Sequence, residues 1–315
     1  MSPLNCSNAS RAVEISVATG VALLATQVPA FLLNSLVIAV TFWDGFWAGE
    51  AGRFGRCDYR FLVATMAAAD LSCSVVGASI GAHIILPGYH LRRHVGSLLS
   101  VGWLTSPLLM SLAPLPLTLS RFTAVVFGGP SWPRWKLVLC CVATLLTPFA
   151  CACWLRGYAS LEVTIECAGY ITVTDFKRPD LLPLTPLAVQ LSVLVPLPPL
   201  LVAASLQAIL LLKLGRHLGR LNGGGVAATS FSRQLRRTRL VVMACGLQTI
   251  APLLCLMPAL IPYAMAILWG VIASPEILAA LTVLLFLNAL LDPLVTFCVV
   301  RPYGRALWRI LNGCE

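Results

Sequence analysis

The sequence predicts an all-α membrane protein, a seven-transmembrane helix bundle with its N-terminus outside and a short amphipathic C-terminal helix. Three observations predict it. Of 315 residues, 58% are apolar and 11% charged, with a mean hydropathy of +0.87, whereas a soluble domain carries about 45–50% apolar and about 25% charged residues. Charge-poor apolar stretches of about 20 residues, the length that crosses a bilayer, occur at seven places. The Lys and Arg residues fall unevenly between alternate connecting segments, which sets orientation.

The spans run roughly from Ser16 to Phe42, Phe61 to Leu86, Leu98 to Phe127, Leu137 to Leu155, Leu181 to Leu212, Leu240 to Ile267 and Glu276 to Val300. They divide the chain into an outer N-terminus (1–15), the bundle (16–300) and a cytoplasmic amphipathic helix and tail (301–315), with no room for a soluble domain. The first apolar stretch is too long for a cleavable signal, so the first span is expected to act as the insertion signal itself. Prolines such as Pro29, Pro196, Pro198, Pro199, Pro252 and Pro293 are compatible with membrane helices, where neighbours re-satisfy the freed carbonyls. The strand alternation that a barrel requires is not apparent.

With the N-terminus outside, the inner segments hold 16 of the 22 Lys and Arg residues and the outer segments 6. Asn5-Cys6-Ser7 and Asn8-Ala9-Ser10 are glycosylation acceptors, useful only on a lumenal segment. The net charge of +10 is therefore a cytoplasmic feature facing membrane lipid, and nucleic-acid binding is excluded. Of 12 cysteines, only Cys6 and Cys167 clearly face the oxidising side, where they either pair or stand as two free thiols.

Ionisable groups in a bilayer core are costly and usually retained for a purpose. Two acids lie deep in spans, Asp70 and Asp292, with Asn34 at a comparable depth in the first. Asn288 and Asp292 are four apart and share a helical face, so they can present one polar patch to Asp70 and Asn34. If both carboxylates meet, repulsion leaves one protonated unless water or a cation such as sodium at Asp70 screens them. A hydrogen-bonded network that only fixes helix packing is the equally weighted alternative. At the inner end of the third span, Arg121 either snorkels to headgroups or offers a rigid fork to a cytoplasmic partner.

No enzyme is expected: only four His occur, and no His-Glu-x-x-His or Gly-x-Ser-x-Gly motif or metal-ligand spacing of the outer cysteine pair appears. No cofactor is implied. A retinal pump is excluded because the seventh span has no Lys for a Schiff base. A small-solute or ion transporter or channel, with Asp70 and Asp292 as the relay, stays open.

Asn34 in the first span, Asp70 in the second, Arg121 ending the third, Pro252 in the sixth and Asn288-x-x-x-Asp292-Pro293 in the seventh, followed by a short basic helix, resemble the plan of rhodopsin-like G-protein-coupled receptors over essentially the whole chain. Within it, Leu119-Ser120-Arg121-Phe122-Thr123-Ala124-Val125-Val126-Phe127 is similar to the third-span ending of nematode serpentine chemoreceptors of the srg and srv type. The stretch Asp292-Pro293-Leu294-Val295-Thr296-Phe297 with Arg301-Pro302-Tyr303-Gly304-Arg305 points the same way.

Several positions depart from that plan. Ser120 replaces the acid that commonly precedes the third-span Arg, so the usual resting ion pair is missing. No Cys lies near Gly96 to bridge to the second outer loop, Thr296 stands where Tyr is expected, and no Trp lies two residues before Pro252. Pro107, Pro114 and Pro116 each remove a backbone donor and are expected to kink the third span.

The resemblance implies a chemosensory receptor whose partners are a small-molecule ligand, a heterotrimeric G protein, membrane lipid and a second receptor copy. Coupling would use Arg121 together with Arg216, Arg220, Arg233, Arg236 and Arg237, with Pro252 as the pivot of the sixth span and Gly223-Gly224-Gly225 as a flexible loop. Simple anchoring to anionic lipid accounts equally well for the loop arginines. The outer pocket would draw on His83, Trp103, Thr105, Ser106, Gln190, Met257 and Tyr263, chosen by depth, although ordinary packing explains each one singly. No acid lies there to pin an amine, which favours an apolar or weakly polar ligand, while Arg92, Arg93 and Lys177 at the rim suit an anionic group. Arg301, Arg305 and Arg309 form the polar stripe of an interfacial helix, and Cys314 beyond it is a candidate for palmitate.

Overall fold

The computed structural model describes residues 9–42, 58–86, 93–127, 132–159, 161–165, 171–175, 195–221, 228–269 and 274–312. The helices are α1 (Ala9–Phe42), α2 (Asp58–Ile85), α3 (Arg93–Leu112), α4 (Pro114–Val126), α5 (Arg134–Ala159), α6 (Leu197–Leu221), α7 (Ala228–Trp269), α8 (Pro275–Val299) and α9 (Arg301–Leu311). Strands β1 (Leu161–Ile165) and β2 (Ile171–Asp175) lie between α5 and α6. Seven stretches are long and apolar enough to cross a membrane, at Glu14–Phe42, Arg60–Ile85, Val101–Val126, Trp135–Trp154, Leu197–Arg216, Val242–Pro262 and Glu276–Val299. The third of these joins α3 to α4, and each other span falls on one helix.

The expected span ends agree to within a few residues except in the fifth, where α6 begins at Leu197 and positions 181–194 lie outside the described residues. The third span is interrupted at Ala113 rather than bent at each proline. Pro107 is carried inside α3, but Pro114 and Pro116, on either side of Leu115, together remove two donors from one turn of the ladder. The last bond before the break runs from Ala113 N to Leu109 O at 2.9 Å, and the carbonyls of Met110 and Leu112 face prolines that cannot donate.

The hairpin was not anticipated. β1 and β2 pair antiparallel with Leu161 opposite Asp175, Val163 opposite Val173 and Ile165 opposite Ile171. Both strands do alternate, as Leu-Glu-Val-Thr-Ile and Ile-Thr-Val-Thr-Asp, with apolar residues at every second position before Asp175 and β-branched residues frequent in both. At five residues each they are too short to span a bilayer, which a tilted strand crosses in about 9–11 residues.

The core lies between α1, α2 and α8, with α3, α4 and α7 closing it. Leu23, Leu62, Met66, Leu109, Met110, Leu117 and Phe286 are fully buried there. The approach of α1 to α2 depends on two glycines. A Cβ on Gly20 would fall 2.7 Å from Ile85 Cγ1 and 3.0 Å from Gly81 O, and one on Gly81 would fall 2.9 Å from Gly20 O. Small residues therefore set the α1–α2 crossing, as they do where lipid gives helices no hydrophobic reason to associate. Leu32, Leu139, Leu146, Leu212 and Leu254 point outward, as chains that meet lipid should.

The amphipathic C-terminal helix forms as expected, but its anchor is a residue that sequence reasoning passed over. Tyr303 is fully buried and its hydroxyl lies 2.8 Å from Thr41 Oγ1, which itself donates to Val37 O. Burial pushes the Tyr303 phenol up to about 12, against the lowering effects of Thr41 and of nearby Arg60. Gly304 makes this docking sterically feasible, since a Cβ there would sit 2.6 Å from Phe297 O. Arg305 and Arg309 are exposed on α9, with Trp308 also exposed between them.

Candidate functional site

Four residues expected to form one polar patch divide into two arrangements. Pro293 has no N–H, so the Ala289 carbonyl loses its helical donor, and Asn34 supplies the replacement. Asn34 Nδ2 donates to Ala289 O at 2.8 Å and to Ala30 O at 2.9 Å. One turn further from Pro293, Gln27 Nε2 donates to Phe286 O at 3.0 Å. These amides tie the first span to the backbone of the seventh, so Asn34 serves the helix ladder rather than the acids.

The acids themselves do meet. Asp70 on α2 and Asp292 on α8 are buried, and their carboxyl groups approach within hydrogen-bonding range. Asn288 Nδ2 reaches Asp292 Oδ2 at 3.4 Å. Thr296 Oγ1 donates to Asp292 O at 3.0 Å and accepts from Gln248 Nε2 on α7 at 2.8 Å. Among the described residues, four buried oxygens around this cluster have no hydrogen-bond partner: Asp70 Oδ2, Asp292 Oδ1, Asn288 Oδ1 and Gln248 Oε1. All four are acceptors, so the cluster is short of donors or positive charge. A proton, a small cation or bridging water would balance it, because two buried carboxylates in contact cannot both hold an uncompensated charge.

At the far end of α4, Arg121 is half-buried and its guanidinium lies near the buried Cys245 of α7. The surrounding backbone is tightly held. Thr123 Oγ1 donates to Ser120 O at 3.0 Å and accepts from Trp132 Nε1 at 3.1 Å. Lys213 Nζ on α6 donates to Val126 O at 3.0 Å, one of the terminal carbonyls that a helix leaves unsatisfied. Leu210, Leu214 and Val242 pack there against Phe122, Val125 and Val126, so the third, fifth and sixth spans pack together just beyond Arg121.

Arg216 is exposed on α6, and Pro252 is buried within a continuous α7 that also contains Pro258 and Pro262. Arg220 lies on the last turn of α6, and Arg233, Arg236 and Arg237 lie on the N-terminal part of α7. That helix extends well beyond the apolar stretch starting at Val242. Their side chains are outside the described residues, as is the glycine segment 223–225.

Of the expected outer-pocket residues, Trp103 is buried with its ring 5.7 Å from that of Phe286, in a packing role. Thr105 and Ser106 donate to their own helix, to Val101 O at 2.6 Å and Gly102 O at 2.7 Å. His83 and Met257 are half-buried on α2 and α7. Gln190, the side chain of Tyr263, the acceptors Asn5 and Asn8, and Cys6, Cys167 and Cys314 are outside the described residues.

Sequence reasoning did not single out Gln27, Gln207 and Gln248. Each is a lone amide in an apolar span, buried and donating to a neighbouring helix. Their polarity was the available signal, since such residues join helices in lipid.

The fold defines a class. The crystal structure of squid rhodopsin superposes with a TM-score of 0.69 at 10% sequence identity, covering 96% of this chain and 88% of that one, so the architecture is the rhodopsin-like seven-helix bundle. The family description "serpentine type 7TM GPCR chemoreceptor Srd" matches residues 90–309. The chain belongs to that serpentine chemoreceptor family, and the type matched is Srd where the sequence pointed to srg and srv. No curated protein matches it in sequence.

Proposed function

We propose that the protein is a plasma-membrane chemosensory receptor, N-terminus outside, which binds a small molecule within the bundle and activates a heterotrimeric G protein. The observation that carries the reading is the family match across residues 90–309. The packing of the third, fifth and sixth spans just beyond Arg121 supports it further. Ligand bound between the third, fifth, sixth and seventh spans favours an outward sixth span pivoting near Pro252, which opens the Arg121 end to the α-subunit tail. The test is nucleotide exchange on a panel of α-subunits, in membranes holding wild type or Arg121→Ala at matched surface expression and exposed to pooled small-molecule extracts. Stimulated exchange that disappears in the variant is expected.

A second reading, a transporter or channel, draws on one observation, the Asp70–Asp292 pair with its unpartnered oxygens. It requires a current or uptake that is lost in Asp70→Asn. Under the receptor reading the same cluster is a regulatory site, with sodium as one cation that its oxygens suit.

A further inference from the structure

One departure from the receptor plan bears on how the sixth span is held at rest. Thr296 stands where an aromatic hydroxyl was expected, and its Oγ1 accepts from Gln248 Nε2 at 2.8 Å. Both side chains are almost completely buried, so this bond forms away from bulk water, where competition from solvent is weak.

Other polar ties of α7 are weaker or bear on a different motion. The Thr118 and Thr249 hydroxyls are 3.5 Å apart, and Thr249 already donates to Cys245 O at 2.8 Å. Gln207 on α6 donates to Val242 O, which binds the sixth span to the fifth and lets the two move together. Among the described residues, the bond from Gln248 to Thr296 joins the sixth span to the seventh, and an outward sixth span must break it. Its poise fits that use, because Gln248 Oε1 has no partner and a half-satisfied buried amide is held less firmly than a fully satisfied one.

We propose that the hydrogen bond from Gln248 to Thr296 is the resting latch that holds the sixth span against the seventh. The latch also reports on the acid pair, since Thr296 Oγ1 donates to the backbone of Asp292. The inference rests on the receptor reading above, so its test includes a measurement that needs no G protein.

Spin labels carried on non-natural amino acids at Phe127 and Met243, both exposed, read the separation of the third and sixth spans. Gln248→Met and Thr296→Val are each expected to populate longer distances. Both should raise basal nucleotide exchange roughly two- to ten-fold, the equilibrium weight of one neutral hydrogen bond. Thr296→Ser, which keeps the hydroxyl, should match wild type, and the double variant should exceed neither single one, as residues sharing one bond do. Gln248→Asn keeps the amide but shortens its reach, and serves if Gln248→Met does not fold. Unchanged distances in folded Gln248 and Thr296 variants would overturn the latch. Longer distances with no exchange on any α-subunit would uphold the latch and count against the receptor reading instead.

Discussion

Asn34 shows how one side chain can be fixed by a residue in a distant part of the chain. Pro293 strips Ala289 O of its donor, and Asn34 Nδ2 restores it at 2.8 Å. Replacing Asn34 with Leu leaves that carbonyl buried and unpaired, a loss of about 1–3 kcal/mol. A lower unfolding temperature for the detergent-purified variant is the expected result. Pro293→Ala should recover part of this loss in the double variant by returning the N–H. The meeting of Asp70 and Asp292 could be anticipated from the sequence because an acid in an apolar span has few acceptable surroundings. The true partner of Asn34 was not evident, because a carbonyl orphaned by proline is visible only by counting back four residues along another helix.

Among the elements, the spans were the most legible, since length and lack of charge alone define them. The hairpin and the break at Ala113 were less so. The hairpin's alternation is confined to five-residue strands within a segment otherwise read as an outer loop. At Ala113 the outcome depended on two prolines within one turn, Pro114 and Pro116, acting together rather than on any one of them. The C-terminal helix gives the clearest element-scale prediction. Gly304→Ala would force a methyl to 2.6 Å from Phe297 O, a backbone atom with little room to yield, at a cost of about 1–3 kcal/mol. Faster hydrogen exchange across residues 301–311 is expected, with a smaller increase for Tyr303→Phe, which loses the hydroxyl contact with Thr41 and keeps the buried ring.

For the molecule as a whole, the unequal loop charges decide orientation, and the polar bonds decide how the spans are arranged around one another. The spans are apolar nearly all round, so periodicity does not mark which face turns inward. The lone amides that join α1 to α8, α6 to α7 and α7 to α8 were therefore legible as polar residues but not as pairs. The charge asymmetry predicts that Asn5 or Asn8 is glycosylated on the outer side. Glycosidase treatment of the expressed protein should increase its mobility, and the Asn5→Gln/Asn8→Gln variant should lose that shift. Coupling through the Arg121 end is the central claim, and crosslinking tests it most directly. A photoreactive amino acid in place of the exposed Phe127 is combined with purified heterotrimeric G proteins and extracts that thermally stabilise the receptor. The account predicts an adduct with an α-subunit that disappears on adding a non-hydrolysable GTP analogue; no adduct with any α-subunit, although the extract stabilises the protein, would contradict it.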